Sequence, residues 1–178
     1  LGGALRWWLH GALSELRKTL EQHQGSLLTL TGSAEKLIPQ LAEDTGARSV
    51  YWHTRLHQKE RDQDGRIAAA LNQKGISSET FWGTVLLDPE QVRTKEGRFY
   101  QVFTAFWKAL QTHTVPDPLD RPTDLSFQSL SSTLLEQYRL DEDELLPSHP
   151  DWAAGLRATW EPGEKEAQEH LEDFLRHD

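Results

Sequence analysis

Between residues 27 and 82, the chain alternates short strand-like runs with longer stretches of helical periodicity. In chain order these segments are 27–30, 33–44, 49–52, 60–73 and 78–82. Gly46 and Gly75 follow the two helical stretches, at positions where glycine commonly ends a helix. Strands that alternate with helices in this way predict a parallel α/β sheet with right-handed crossovers and flanking helices, which is a Rossmann-like fold.

The predicted sheet is small, and the order of its elements predicts that it is incomplete. An amphipathic helix is predicted at 5–23, and no strand precedes it in this chain. Because three strands are few for a buried parallel sheet, we expect the first strand of the domain to be missing from this chain. The alternative is an intact minimal domain of three strands.

The α/β region is predicted to continue into a long linker and a terminal helix. A helix at 99–110 has the clearest apolar periodicity in the chain, whereas Pro, Ser, Asp and Thr dominate after residue 112. A last amphipathic helix is predicted from Gly163 onward. We therefore expect an α/β domain at 1–111, an interdomain linker at 112–160 and the start of a second, helical domain at 161–178.

The charge distribution argues against direct nucleic-acid binding by this chain. The formal net charge of −9 divides into +2 for residues 1–111 and −11 for residues 112–178, where an acidic run occupies 141–144. Binding to phosphates needs clustered Lys and Arg, which the acidic part lacks. No apolar run reaches the roughly 18 residues of a membrane helix, and the absence of Cys excludes disulfides and thiolate zinc sites. We expect a cytoplasmic protein without a membrane segment.

Polar residues after the second predicted strand form the candidate ligand site. Parallel sheets bind ligands at the carboxyl ends of their strands. The residues at this position are His53, Thr54, Arg55, Lys59, Glu60 and Arg61. The alternative is an ordinary charged loop followed by a helix start, where the helix dipole favours a carboxylate. His53 and His57 have no adjacent carboxylate pair, so we predict no metal site.

Five segments follow one another in the order in which a known family carries its motifs. They are R-W-W-L-H-G-A-L at 6–13, L-T-G-S at 30–33 with L-I-P-Q-L at 37–41, V-Y-W at 50–52 with E-R at 60–61, Y-Q-V-F-T-A-F-W at 100–107, and W-E-P-G-E at 160–164. Together they resemble the photolyase/cryptochrome family. Each motif is weak alone, but five in register over nearly the whole chain are specific.

This resemblance implies a flavoprotein driven by blue or near-ultraviolet light. In such photolyases, FAD in a C-terminal helical domain donates an electron to a cyclobutane pyrimidine dimer in damaged DNA and splits it. An N-terminal α/β domain holds an antenna chromophore, either a folate or a deazaflavin. The present chain would be the antenna-domain part, the linker and the first helix of the FAD domain. FAD and damaged DNA would bind to the missing C-terminal domain, so the chain alone is predicted to be inactive.

The resemblance also implies four candidate residues for binding the antenna chromophore: Glu60, Lys59, Arg55 and Trp8. Glu60 matches the position of a carboxylate that contacts folate in some members, and a carboxylate can accept hydrogen bonds from the amino and ring N–H groups of a pterin. Arg55 replaces an acidic residue that deazaflavin-type members often carry. Folate (methenyltetrahydrofolate) is therefore preferred over deazaflavin. For Trp8, the alternative to chromophore stacking is a core or interface position.

Two other functional hypotheses stay open. The chain departs from the family pattern at His53, at 56–58 and at Ala105, where members carry Asn, Tyr-Glu-Pro and Pro. These changes leave the identity of the antenna chromophore, and its presence, undecided. A cryptochrome-like photoreceptor without repair activity shares the same motifs. A stand-alone α/β nucleotide-binding module is the third class, although the sequence has no glycine-rich loop that would cradle a phosphate.

Overall fold

The structure is a computed structural model that describes residues 2–120, 122–138, 145–146 and 150–177. The acidic run at 141–144 lies outside these residues. The described elements are α1 (Gly3–Gln22), α2 (Ala34–Asp44), β1 (Ser49–His53), α3 (Gln58–Gln73), β2 (Ser77–Phe81), a 3-10 helix (Pro89–Gln91), α4 (Phe103–Leu110), α5 (Ser132–Gln137), α6 (Ala154–Thr159) and α7 (Glu164–His177).

The chain divides into two compact units. A helical unit comprises Leu1–Thr31 and Thr123–Asp178 and contains α1 with the last three helices. A sheet unit comprises Gly32–Pro122 and contains both strands with α2, α3 and α4. Among the described helices, none combines the length and the apolar character needed to cross a membrane.

The sheet unit is a parallel α/β structure, as predicted. β1 and β2 pair in parallel, with Ser49 opposite Ser77 and His53 opposite Phe81. The connecting helix α3 packs against β2 and against α2. Right-handed crossover helices bury one face of a parallel sheet, and that face supplies the core of this unit.

The core of the sheet unit lies between α2, α3 and the sheet. Its buried centre consists of Ala42, Ile67, Leu71 and Ile76. Val50 and Trp52 point to this core because they are two residues apart on β1, whereas Tyr51 between them is 62% exposed. The helical stretches predicted at 33–44 and 60–73 are confirmed, and each ends before a glycine with positive φ.

The strand predicted at 27–30 does not form. Within the described residues, only Thr29 of this run makes a β-bridge, and the two-stranded sheet contains β1 and β2 alone. An apolar run becomes a strand only where a neighbour satisfies its N–H and C=O groups along its length. The side chains at 27–30 are therefore partly buried, but the backbone of this run forms no ladder of strand hydrogen bonds.

The helix predicted at 99–110 begins four residues later, at Phe103. The Thr94 N–H donates to the Arg98 carbonyl oxygen at 2.8 Å, and the Arg93 guanidinium lies 3.7 Å from the centre of the Phe99 ring. Val102, the last residue before α4, has extended dihedral angles, and Phe99 and Val102 are 50% and 63% exposed. The apolar spacing before Phe103 therefore belongs to no helix and to no buried face.

Candidate functional site

The loop that leaves the carboxyl end of β1 leads directly into α3. The strand ladder continues one residue beyond β1, because the Thr54 N–H donates to the Phe81 carbonyl oxygen at 2.9 Å. His57 is the N-cap residue of α3, so Lys59 and Glu60 lie in the first turn of that helix. The edge of the sheet and the start of the helix therefore form one polar surface.

Arg55 in this loop is held by several hydrogen bonds to α3. Its Nη2 donates to Asp64 Oδ1 at 2.6 Å, and its Nε donates to Asp64 Oδ2 at 3.1 Å. Nη2 also donates to the Glu60 carbonyl oxygen and to Gln63 Oε1, each at 3.0 Å. Two parallel bonds from a guanidinium to a carboxylate form the most specific geometry that this pair can make.

The pairing with Asp64 decides what Arg55 can do. The hydrogen bonds that Arg55 donates to Asp64 raise the pKa of Arg55 above its usual high value, so the guanidinium stays charged at every accessible pH. Because Asp64 neutralises that charge, Arg55 does not present a spare cation to a ligand. Its direct effect is to fix the loop after β1 on the first two turns of α3, which holds the site in shape.

Lys59 and Glu60 differ in their surroundings although they are neighbours. Lys59 is exposed, whereas Glu60 is half-buried. A carboxylate in the first turn of a helix is favoured by the positive end of the helix dipole. The Glu60 side chain accepts no hydrogen bond from the part of the chain that the structure describes, so its oxygens are available to donors of another molecule.

Trp8 lies in the helical unit, separately from the other three candidates. Its ring contacts Trp7 and Trp160 edge to face, with ring centroids 6.1 and 6.0 Å apart. Trp7 is buried, but Trp8 is 39% exposed. The structure thus joins Arg55, Lys59 and Glu60 at one helix start and gives Trp8 an aromatic environment of its own.

In the described residues, no group of metal ligands accompanies this polar surface. No three His, Asp or Glu side chains in the described ranges are grouped so that they could hold a metal ion. An open cavity of about 530 Å³ in the sheet unit is lined by Asn72, Gly75 and Ser77, near the end of α3 and the start of β2. It therefore lies at the C-terminal end of α3, whereas Glu60 lies at the N-terminal end of that helix.

The side chains at the start of α3 offer one hydrogen-bond acceptor and one cation to another molecule. A pterin presents amino and ring N–H donors, and Glu60 supplies free acceptor oxygens. Lys59 supplies an exposed ammonium that can pair with an anionic group of the same ligand. Sequence reasoning identified both residues but missed the positioning role of Asp64, because the Arg55–Asp64 pair spans nine residues and has no local signal.

Comparisons with known proteins agree with the motifs and the fold. The family model described as DNA photolyase matches residues 1–123. The deoxyribodipyrimidine photo-lyase of Agrobacterium fabrum is 35% identical over 176 residues, which cover 98% of this chain and 36% of that protein. The deoxyribodipyrimidine photo-lyase of a Synechococcus species is 37% identical over 171 residues, with coverages of 94% and 34%.

A solved structure extends this likeness to three dimensions. The crystal structure of a bacterial class III photolyase from Agrobacterium tumefaciens matches with a TM-score of 0.84 and 33% identity, over 98% of this chain and 36% of that one. The chain spans about a third of the length of each of these relatives. The resemblance drawn from the motifs is confirmed: the chain belongs to the DNA photolyase family.

Proposed function

We propose that the parent protein is a deoxyribodipyrimidine photolyase, which repairs cyclobutane pyrimidine dimers in DNA by light, and that this chain carries its antenna part. The observation that supports this most is the match to a photo-lyase over 98% of the chain at 35% identity. The proposed boundaries are an antenna domain at 1–111, a linker at 112–160 and the start of the FAD domain at 161–178. The proposed location is the cytoplasm.

FAD and damaged DNA are proposed to bind to parts of the parent protein outside this chain. When bound, FAD supplies the electron that splits the dimer. The chain has a formal net charge of −9, and its acidic part has no clustered Lys or Arg. We therefore propose that the chain itself makes no direct contact with DNA. We therefore expect the chain alone to have no lyase activity.

The proposed antenna site is the polar surface at the start of α3. Glu60 would accept hydrogen bonds from a pterin edge, Lys59 would pair with an anionic group, and Arg55 would keep the loop in place through Asp64. Trp8, the fourth candidate from the resemblance, is partly exposed in the helical unit and stays a separate proposal. These groups favour a folate, methenyltetrahydrofolate, over a deazaflavin, since Arg55 replaces the acidic residue of deazaflavin-type members.

Replacing Glu60 with Gln should weaken folate binding by about tenfold, roughly 1.4 kcal/mol, because an amide offers one acceptor oxygen and adds a donor that opposes the pterin N–H groups. The measurement is a fluorescence titration of the full-length parent with methenyltetrahydrofolate. Asp62→Asn is the matched control, since Asp62 lies exposed on the same helix and the variant removes the same charge. Equal affinities for both variants would remove Glu60 from the site.

The proposed repair function is tested with the full-length parent and ultraviolet-irradiated DNA. We expect the number of cyclobutane dimers to fall under blue or near-ultraviolet light and to stay constant in the dark. A flavin-loaded protein that binds DNA and leaves dimers intact in the light would contradict the proposal and support the cryptochrome-like photoreceptor. A parent without flavin that binds nucleotides would instead support the stand-alone nucleotide-binding module.

A further inference from the structure

His113 lies just after α4 and contacts a backbone carbonyl group with each of its two ring nitrogens. Nδ1 lies 2.9 Å from the carbonyl oxygen of Ala109, near the C-terminal end of α4. Nε2 lies 3.2 Å from the carbonyl oxygen of Gln91, which ends the 3-10 helix. The side chain therefore connects α4 with a residue that lies 22 positions before His113 in the chain.

Both partners of the ring can only accept a hydrogen bond. A carbonyl oxygen has no proton to donate, and a neutral imidazole carries a proton on only one of its two nitrogens. In the neutral ring of His113, one nitrogen therefore faces a carbonyl oxygen without a proton between them. The imidazolium carries an N–H on each nitrogen and donates to both oxygens at once. Protonation of His113 thus adds one hydrogen bond between α4 and the 3-10 helix.

The hydroxyl group of Thr112 does not supply the second proton. It lies 3.5 Å from His113 Nδ1, but it donates to the Ala109 carbonyl oxygen at 2.7 Å. Because a hydroxyl has a single proton, that shorter bond leaves only its lone pairs for Nδ1. Thr112 therefore also favours an N–H at this nitrogen.

Within the described part of the chain, no carboxylate forms an ion pair with His113. The charged residues on or beside the two elements that meet at His113 are Lys108, Glu90, Asp88 and Arg93. Glu90 pairs with Arg93, and Asp88 accepts a hydrogen bond from the Glu90 N–H at 2.9 Å. The C-terminal end of α4 carries a partial negative charge, which favours a cation there. The two carbonyl groups and this helix end are therefore what favours the protonated ring.

Helix α4 depends on such contacts because it is poorly covered. None of its residues is buried, and Phe103 and Trp107 are 72% and 47% exposed. A helix of eight residues has little stability of its own and needs tertiary contacts. One additional hydrogen bond at its C-terminal end therefore changes how firmly α4 is held.

We propose that His113 is a pH-dependent switch, which attaches the C-terminal end of α4 to the 3-10 helix when its ring is protonated and weakens this attachment when the ring is neutral. Histidine ordinarily changes its charge between pH 5 and 8. The attachment is therefore complete at the acidic end of this range and is weakened as the pH rises. The inference concerns the sheet unit alone and does not depend on the proposed function.

The test is amide hydrogen exchange of the full-length parent at about pH 5.5 and about pH 7.5, corrected for the intrinsic pH dependence of exchange. The peptides span 88–92 and 103–113, and the variants are His113→Gln and His57→Gln. Glutamine offers an amide donor but has no proton that titrates in this range. His57 is the matched control, because it is exposed in the same unit and its side chain makes no capping hydrogen bond.

In the wild-type protein we expect exchange in both peptides to be about fivefold faster at the higher pH, the effect of one hydrogen bond. His57→Gln should keep this dependence, whereas His113→Gln should exchange at the faster rate at both pH values. Equal corrected rates at the two pH values in the wild type would overturn the proposal. The same pH dependence in His113→Gln would also overturn it, because another group would then carry the titration.

Discussion

Replacing Leu71 with Ala should destabilise the sheet unit by about 2–5 kcal/mol, the range for large-to-small changes in a packed core. Leu71 is fully buried on α3 and packs with Ile67, Ile76 and Ala42. The loss includes both the burial of the removed methyl groups and the cavity that the rigid neighbours leave. Because a domain is stable by only about 5–15 kcal/mol, this single change removes a large share of the stability.

The measurement is urea denaturation followed by circular dichroism, with Leu86→Ala as the control. Leu86 lies in the same unit and is 75% exposed, so the same chemical change there should cost less than about 0.5 kcal/mol. If the two variants lose similar stability, the buried cluster around Leu71 is not the centre of the unit.

Replacing Arg55 with Ala should destabilise the sheet unit by about 2 kcal/mol, because it leaves a poorly hydrated carboxylate without its partner. The side chain of Asp64 is only 14% exposed, and Arg55 supplies both of its short hydrogen bonds. The loop after β1 also loses its attachment to α3. We expect faster hydrogen exchange at 53–60 in addition to the lower denaturation midpoint.

Arg66→Ala is the matched control for this prediction. Arg66 lies on the same helix and pairs with Glu35, but the two side chains are 58% and 36% exposed. Such surface pairs contribute about 0–1 kcal/mol, because solvent screens them. Equal losses for Arg55→Ala and Arg66→Ala would mean that the Arg55–Asp64 pair is an ordinary surface contact and does not shape the site.

Local signals were sufficient to predict most of the helices. Gly46 and Gly75 adopt positive φ angles just after α2 and α3, where the glycine signal placed the helix ends. α2 begins after Ser33 as expected and continues through Pro39. The short run at 49–52 predicted β1, and the structure shows Val50 and Trp52 alternating toward the core, as expected of a half-buried strand.

The sequence pattern is least informative where an element depends on a distant partner. The run at 27–30 has strand-like composition, but a ladder along it needs a neighbour that no local pattern reveals. The two short helices α5 and α6 lie within the stretch expected to be a linker. At six residues each they are too short to carry a helical periodicity, and such helices depend on tertiary packing.

The candidate site shows the same division between local and distant information. Glu60 and Lys59 could be placed at a helix start because they follow a predicted strand by a short loop. The pairing of Arg55 with Asp64 could not be predicted from the sequence, because it requires the loop to fold back over two turns of α3. The contact of His113 with Gln91 joins residues 22 positions apart and is visible only in the folded chain.

The most direct test of an antenna role for this chain within a light-driven repair enzyme is the wavelength dependence of dimer repair by the full-length parent. Repair per incident photon is measured across the absorption bands of the antenna chromophore and of FAD. We expect light absorbed by the antenna chromophore to drive repair in the wild-type protein and to do so less in Glu60→Gln. Repair that follows FAD absorption alone in the wild-type protein would contradict the antenna role of this chain.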